Sequence, residues 1–433
     1  MSIPHTGRAR RALPTTAAGL AIAALTLAGC AGRQDAGTAA PSPSDGAGTS
    51  TVAEACSPGF TDTEVSIGTS LPLSGPAAAY GAIGTTLKAY FDDLNEDGGV
   101  TFADGTMRTV DVTVLDDGYD PAKTAANVRT LVEQDGVFAL TGVLGTGAAI
   151  SVAPYVEEQG IPNLFTGTGS DAILALHEGT AWTTGFMPQY GFEVQALADY
   201  LIENHPDSTA AILYQNDDFG ESVLAGFEAA FEGTGIEIVA SEPYELASAS
   251  VDSQVTALAS SDADIFLDWA VGAFATQSLK KKLELGWEAT TVINAPAADA
   301  TFFLKPAGEG AADGVVSIAY TKDITDPSLA GDAGFDAWTE FAAAHPDDVN
   351  ALSAPAAAGY QTAQLLEAAL TRMDGCTREA LLESATSFDG LELDLAPVTV
   401  TTSPDYPYVF REVKVQVFNG ENWDLADGSY TVD

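Results

Sequence analysis

The chain has 433 residues, of which 61 are Asp or Glu and 17 are Lys or Arg, so its net charge at neutral pH is −44. This charge excludes non-specific nucleic-acid binding, which depends on a basic surface. It is compatible with a solubilising acidic surface or with a cationic ligand. The length exceeds what one ordinary hydrophobic core accommodates, which predicts more than one lobe.

Residues 1–29 have the features of a processing segment. Arg8, Arg10 and Arg11 form a basic head, and the apolar stretch that follows is too short to span a bilayer comfortably. The segment ends in Leu-Ala-Gly-Cys, which resembles the lipobox of bacterial lipoproteins and predicts that Cys30 carries a lipid. We therefore expect the mature protein to be lipid-anchored on the extracytoplasmic face of the cell membrane. A plain secretory signal with an incidental cysteine is the alternative.

Residues 30–55 predict a disordered tether, because Ala, Gly, Ser, Thr and Pro dominate and offer little to bury. Once Cys30 is lipidated, Cys56 and Cys376 are the remaining cysteines. Outside the cytoplasm such a pair favours a disulfide bond, although two unpaired cysteines in a core are the alternative.

From about residue 60 the sequence alternates between strand and helix patterns. Val110, Val112 and Val114 alternate as in a strand, and Asp120-Pro121 then supplies an N-cap and a first helical residue. A buried strand at 137–143 leads into a glycine-rich loop that opens a helix. The order recurs in the second half, where strands at 208–214, 236–240 and 290–294 are separated by helices. Two runs of β-α units predict an α/β protein with two mainly parallel sheets.

The C-terminal tail has a different pattern. Val409, Val413, Val415 and Val417 alternate in β fashion, and Asn419-Gly420 supplies a tight turn before Trp423. This pattern predicts an antiparallel strand pair at the edge of a sheet.

Sequence signatures of catalysis are missing. There is no Cys/His cluster for zinc, no His-Glu-x-x-His, no Gly-x-Ser-x-Gly and no Walker lysine loop. We therefore expect no enzymatic activity, no metal and no cofactor. A surface hydrolase that uses a pair of carboxylates is an alternative, because nothing distinguishes such a pair among 61 acids.

Small-residue loops with hydroxyl groups stand at the predicted helix starts. Thr146 lies between two glycines, and Thr166, Thr168 and Ser170 follow in Thr-Gly-Thr-Gly-Ser. Free backbone N–H groups at such positions suit a carboxylate or another polar oxygen, and glycines allow close approach. The loops are expected at one edge of a sheet, where strand ends converge on a crevice. Ordinary strand-to-helix turns are the alternative for each loop alone.

These motifs resemble the leucine/isoleucine/valine-binding family of ABC-importer substrate-binding proteins. The similar stretches are VSIGTSLPLSGPAAAYG with AYFDDLNEDGGV, GIPNLFTGTGSD, ILYQNDDFGES and GYQTAQLLEAAL. The resemblance implies the type I periplasmic-binding-protein fold, with two lobes joined by a three-strand hinge. Lobe one would then comprise 60–183 and 324–398, and lobe two 184–323 and 399–433.

The resemblance also implies ligand-binding residues. Tyr80 matches an aromatic residue that covers the ligand, and Thr146 with Gly147 matches a loop that takes the ligand's α-carboxylate. The Thr168-Gly169 pair matches the position beside it. Phe219 replaces a tyrosine that is frequent in the family, and the further candidates are Trp269 and Phe274.

The acid that usually receives the ligand's ammonium group falls near Ala295-Pro296, where this chain has no carboxylate. A buried ammonium without a charged partner is costly. The candidate replacements are Asp217, Asp218, Asp268 and Asp299. The expected ligands are therefore branched-chain or related amino acids, amides or aromatic acids, carried by a monomer to an ABC permease. A sensor domain that presents its ligand to a membrane receptor is the other alternative.

Overall fold

The computed structural model describes residues 56–175 and 182–432 of the chain. The predicted signal segment, the tether and Cys30 lie outside these residues. Within them, no helix combines the length and apolar character needed to cross a membrane.

The first sheet has six strands in the order β2-β3-β1-β4-β5-β6. They are β1 (Glu64–Leu71), β2 (Val100–Thr101), β3 (Met107–Asp116), β4 (Ala139–Thr141), β5 (Asn163–Thr166) and β6 (Thr183–Gly185). All neighbours pair in parallel except β2, which pairs antiparallel with β3 at the edge. The loops that leave β1, β3, β4 and β5 therefore emerge at the same edge of the sheet.

Four helices follow these strands along the chain. They are α1 (Ala82–Glu96), α2 (Pro121–Thr130), α3 (Thr146–Gln159) and α4 (Asp171–Ala175). The predicted start of α2 is confirmed, because the Asp120 side chain accepts a hydrogen bond from the Ala122 N–H and Pro121 is the first helical residue.

The second sheet has eight strands in the order β13-β12-β11-β10-β9-β7-β8, with β14 paired to β12. They are β7 (Thr209–Gln215), β8 (Glu237–Tyr244), β9 (Ile265–Trp269), β10 (Thr290–Ile293), β11 (Val316–Ala319), β12 (Glu412–Phe418), β13 (Trp423–Leu425) and β14 (Tyr430–Thr431). Strands β7 to β11 are parallel, whereas β12 pairs antiparallel with both β11 and β13. The predicted antiparallel tail is therefore confirmed.

The helices of the second half divide between the two sheets. The helices that alternate with strands of the second sheet are α5 (Tyr190–Asn204), α6 (Asp218–Phe231), α7 (Asp252–Ala259) and α8 (Ala273–Leu285). The helices that follow β11 are α9 (Ala333–Ala344), α10 (Ala354–Arg372) and α11 (Arg378–Ala385). The chain returns to the first sheet through α10, which packs closely on α1. Gly359 permits this approach, because a Cβ atom there would lie 2.4 Å from the Ile83 carbonyl oxygen.

Three chain segments connect the two sheets, after β6, after β11 and before β12. The first and third lie side by side, since Gly185 donates to the Pro407 carbonyl and accepts from Val409, both at 3.0 Å. One aromatic ring from each segment joins a cluster: Phe410 lies 5.3 Å from Phe186 and 4.9 Å from Tyr320. The predicted fold class, two α/β lobes joined by a three-strand hinge, is thus confirmed. The residue-level lobe boundaries at 183, 323 and 398 stay predictions.

The predicted disulfide bond is confirmed. Cys56 and Cys376 are bonded across 320 residues of sequence. The adjacent Ser57 N–H also donates to the Cys376 carbonyl at 3.0 Å. The bond therefore fixes the start of the described chain to the loop between α10 and α11.

Candidate ligand-binding site

A cavity of about 150 Å³ lies between loops and helices that belong to both sheets. Its wall is mainly aromatic and apolar. The aromatic residues are Tyr80, Tyr119, Phe186, Tyr190, Phe219, Tyr320 and Trp423. An apolar cavity of this volume can hold a molecule of the size of benzene, so the cavity suits a small solute. Apolar walls with a few polar groups are typical of ligand sites.

Tyr80 bridges the two sides of the cavity. Its loop follows β1 of the first sheet, whereas its hydrogen-bond partners follow strands β9 and β10 of the second. The phenol donates to the Pro296 carbonyl and accepts from the Gly272 N–H, both at 3.2 Å. Burial raises the pKa of Tyr80, so the phenol stays protonated and able to donate. The predicted site residue is therefore placed where it holds the two lobes together.

The loop around Gly272 makes this contact close. Gly272 has φ +55°, and a Cβ atom at this position would lie 2.6 Å from the Pro76 carbonyl oxygen. The next residue, Ala273, donates its N–H to that same oxygen at 3.3 Å. Glycine is needed here for both the left-handed backbone and the approach of the two loops. The loop after β1 and the loop after β9, which form the two rims of the cavity, are therefore in contact in this structure.

Thr146 and Thr168 lie together, as the convergence of loops on one sheet edge predicts. Their hydroxyl oxygens are 2.9 Å apart, and the Thr146 hydroxyl lies 3.5 Å from the phenol oxygen of Tyr190. All three residues are buried. Neither threonine forms the cavity wall, but Tyr190 does. A ligand in the cavity would therefore contact the Tyr190 phenol, which lies between the cavity and the two threonine hydroxyl groups.

The candidate glycines Gly147 and Gly169 support this cluster through packing. A Cβ atom at Gly169 would lie 2.0 Å from the Pro188 carbonyl oxygen, so glycine lets this loop reach the start of α5. The Gly169 carbonyl accepts from the Tyr190 N–H at 2.8 Å. Gly147 faces Pro121, whose side chain would be 3.1 Å from an added Cβ atom. Neither glycine forms the cavity wall.

The three aromatic candidates of the second half are placed differently. Phe219 forms part of the cavity wall, and its ring lies 5.1 Å from that of Tyr190. Trp269 is fully buried with its ring 5.0 Å from Phe227, and Phe274 packs 5.0 Å from Tyr244. The structure therefore places Phe219 at the cavity but Trp269 and Phe274 in the core, where strand β9 and helix α8 bury them.

Three of the four candidate acids already serve as helix caps or core partners, whereas Asp218 is exposed in the first turn of α6. Asp217 caps α6 by accepting from the Phe219 and Gly220 N–H groups. Asp268 accepts from the Ser278 hydroxyl and the Ala270 N–H. Asp299, which forms part of the cavity wall, accepts from the N–H groups of Thr301, Phe302 and Ala354. Each of these three carboxylates is thus engaged with donors of the protein itself.

Glu193 is a buried acid that sequence reasoning missed. It lies in the first turn of α5, and its Oε1 accepts from the Ala295 N–H at 2.8 Å. Burial raises the pKa of Glu193 to about 7. An acid in the first turn of a helix is ordinarily explained by the helix dipole, so nothing in the sequence linked it to a loop 102 residues later.

Tyr119 and Tyr190 are wall residues that the sequence analysis also missed. Tyr119 has a left-handed backbone with φ +65°, which is unusual for a non-glycine residue, and its ring would lie 2.9 Å from a Cβ atom at Gly145. Tyr119 follows the carboxyl end of β3, and Tyr190 follows the first connection between the sheets. The position of Tyr119 directly after a strand was an available signal, because site loops gather at that edge.

The model of the periplasmic binding protein family matches residues 64–413 of the chain. The chain belongs to this family. Leu/Ile/Val-binding protein homolog 3 of Brucella melitensis is 26% identical over 221 residues, which are 50% of this chain and 58% of that relative. The match thus spans less than two thirds of that relative's length.

Two solved structures of ABC-transporter proteins are similar to this chain in fold. A branched-chain amino acid ABC transporter protein from Thermus thermophilus with bound valine has a TM-score of 0.75 at 16% identity, covering 86% of this chain and 97% of that one. A fatty acid ABC transporter substrate-binding protein from Thermomonospora curvata has a TM-score of 0.72 at 21% identity, covering 88% and 95%. At these identities the likeness concerns the fold alone.

Proposed function

We propose that this periplasmic binding protein captures a small solute outside the cytoplasm and delivers it to the permease of an ABC importer. The observation that carries this proposal is the cavity between the two sheets, closed by the Tyr80 phenol through Gly272 and Pro296. Such a bridge lets a ligand favour the closed arrangement, which a permease can distinguish from the open one. The solute is released without chemical change.

The cavity wall favours a ligand with an apolar body and a small polar part. Seven aromatic residues contribute to it, and its small volume suits a branched-chain or related amino acid, an amide or an aromatic acid. Among the similar proteins, the Leu/Ile/Val-binding homolog and the valine-bound protein support the amino-acid part of this range. The fatty acid ABC transporter protein extends the range to acids with an apolar chain.

We propose that Tyr80, Phe219, Tyr119 and Tyr190 contact the ligand directly. Thr146 and Thr168 would receive its polar oxygen next to the Tyr190 phenol, with Gly147 and Gly169 shaping their loops. Trp269 and Phe274 would support the lobe that presents Phe219, because both are packed in its core.

We also propose that Cys30 carries a lipid that holds the protein, as a monomer, at the outer face of the membrane. Its sequence context, Leu-Ala-Gly-Cys after an apolar stretch, supports this anchor. Replacing Cys30 by Ser should release the protein into the medium, as immunoblots of membrane and medium fractions would reveal. Retention of the Cys30→Ser protein in the membrane would contradict lipid anchoring.

The test of solute binding is a thermal-shift screen of the mature protein with amino acids, amides, aromatic acids and fatty acids. A bound solute raises the midpoint of unfolding by mass action, by an amount that grows with its concentration. We expect at least one class to do so, and isothermal titration calorimetry should then give a single site. If no solute raises the midpoint, the proposed function is wrong.

A further inference from the structure

Gln361 is a buried amide without a hydrogen-bond partner. It lies in α10, contributes to the wall of the cavity and is fully buried. In the described part of the chain, neither its Oε1 nor its Nε2 has a hydrogen-bond partner. Buried polar groups are nearly always paired in native proteins, and each exception calls for an explanation. A polar group that is kept unpaired beside a cavity is available to a ligand.

Gln416 provides a contrast within the same wall. It is also buried, but its Nε2 donates to the Ile318 carbonyl at 3.0 Å. A glutamine at this wall therefore can be satisfied by the protein, and of the two glutamines there only Gln361 lacks a partner among the described residues.

Tyr320 offers a second polar group at the cavity. Its ring is held between Phe186 and Phe410. Burial raises the pKa of its phenol, with further contributions from nearby Glu193 and two tyrosines, and no hydrogen bond of this phenol is found among the described residues. Tyr320 thus stays a neutral donor at physiological pH. Like the Gln361 amide, it can both donate and accept.

The charged groups of the wall already have hydrogen-bond or ion partners within the protein. Asp299 accepts three backbone N–H groups, and Asp323 accepts from the N–H and hydroxyl of Thr325 and from the Trp423 N–H. Lys322 forms a salt bridge with Asp332 at 2.5 Å and donates to the Asp394 carbonyl. A ligand's carboxylate would therefore be buried here without a free cation, which is unfavourable.

We propose, on the basis of the function proposed above, that Gln361 selects an uncharged solute with a group that both donates and accepts, of the carboxamide type. The carboxamide N–H would donate to Gln361 Oε1, and its carbonyl would accept from Gln361 Nε2. The aromatic and aliphatic wall would enclose the apolar remainder. The ligand class is thereby narrowed from amino acids, acids and amides to neutral amides.

The test compares three probes that share an isobutyl group: isovaleramide, isovalerate and leucine. Calorimetry on the full mature protein should give isovaleramide at least tenfold tighter binding than either charged probe. Replacing Gln361 by Met, which keeps the length of the side chain, should weaken isovaleramide binding by about tenfold to hundredfold. Without ligand, the Gln361→Met protein should unfold at the same temperature as the wild type or higher, because an unpaired amide is removed.

The matched control is Gln416→Met, which leaves the Ile318 carbonyl unpaired and should lower the unfolding temperature without ligand. A similar decrease in Gln361→Met would assign Gln361 a structural role and overturn the proposal. Unchanged isovaleramide affinity in Gln361→Met would do the same. The ligand class would be refuted if leucine or isovalerate bound more tightly than isovaleramide. It would also be refuted if none of the three probes bound while another solute from the screen did. In both cases the proposed solute capture would remain intact.

Discussion

Replacing Tyr80 by Phe tests whether one phenol holds the two rims together. The substitution removes only the hydroxyl group, which joins a loop after β1 to the Gly272 N–H and the Pro296 carbonyl. A hydrogen bond contributes about 0.5–1.5 kcal/mol net, so the closed arrangement should lose about 1–3 kcal/mol relative to the open one. A solute that binds only the closed arrangement would lose affinity by about 5- to 150-fold.

Amide hydrogen exchange measures this effect without a ligand. The Ala273 N–H donates to the Pro76 carbonyl across the same contact and keeps this acceptor in Tyr80→Phe. Its exchange should therefore accelerate in the variant by the factor that opening becomes easier. Small-angle X-ray scattering should show a larger radius of gyration for the variant. The matched control is Tyr214→Phe, since no hydrogen bond of the Tyr214 phenol is found among the described residues. Equal Ala273 exchange and equal radius in Tyr80→Phe and the wild type would refute the bridge.

Two further predictions concern stability. The double replacement Cys56→Ser, Cys376→Ser should lower the free energy of unfolding, measured in urea, by about 2–4 kcal/mol. Thiol titration of the oxidised mature wild-type protein should find no free thiol, and two free thiols would contradict the bond. Folding raises the pKa of Glu193 from 4.5 to about 7, so the folded state keeps a proton that the unfolded chain loses, and stability should fall as pH rises through that interval. In Glu193→Gln, the glutamine oxygen still accepts from the Ala295 N–H but does not titrate. Thermal scans between pH 5 and 7 should therefore show a smaller decline in stability for the variant than for the wild type. An equally steep decline would contradict the assignment of this pH dependence to Glu193.

Local patterns in the sequence determined the elements and their class. Asp120-Pro121 starts α2, because an acceptor side chain and a fixed φ satisfy the first turn of a helix without help from distant residues. The alternating valines of the tail and the Asn419-Gly420 turn specify an antiparallel strand pair, because a tight turn between adjacent strands is also determined by neighbouring residues. The parallel β-α alternation then brings Thr146 and Thr168 to one edge, where their hydroxyl groups meet.

Only the tertiary structure decided what each buried side chain contacts. An aromatic residue at a strand end, such as Trp269, has the same pattern whether it packs in the core or faces a ligand, and here the core encloses it. Glu193 and Gln361 look like ordinary helix residues, yet folding buries one against Ala295 and leaves the other unpaired beside the cavity. The physical reason is that periodicity records whether a position is removed from water. The partner of that position depends on how segments far apart in the sequence pack together.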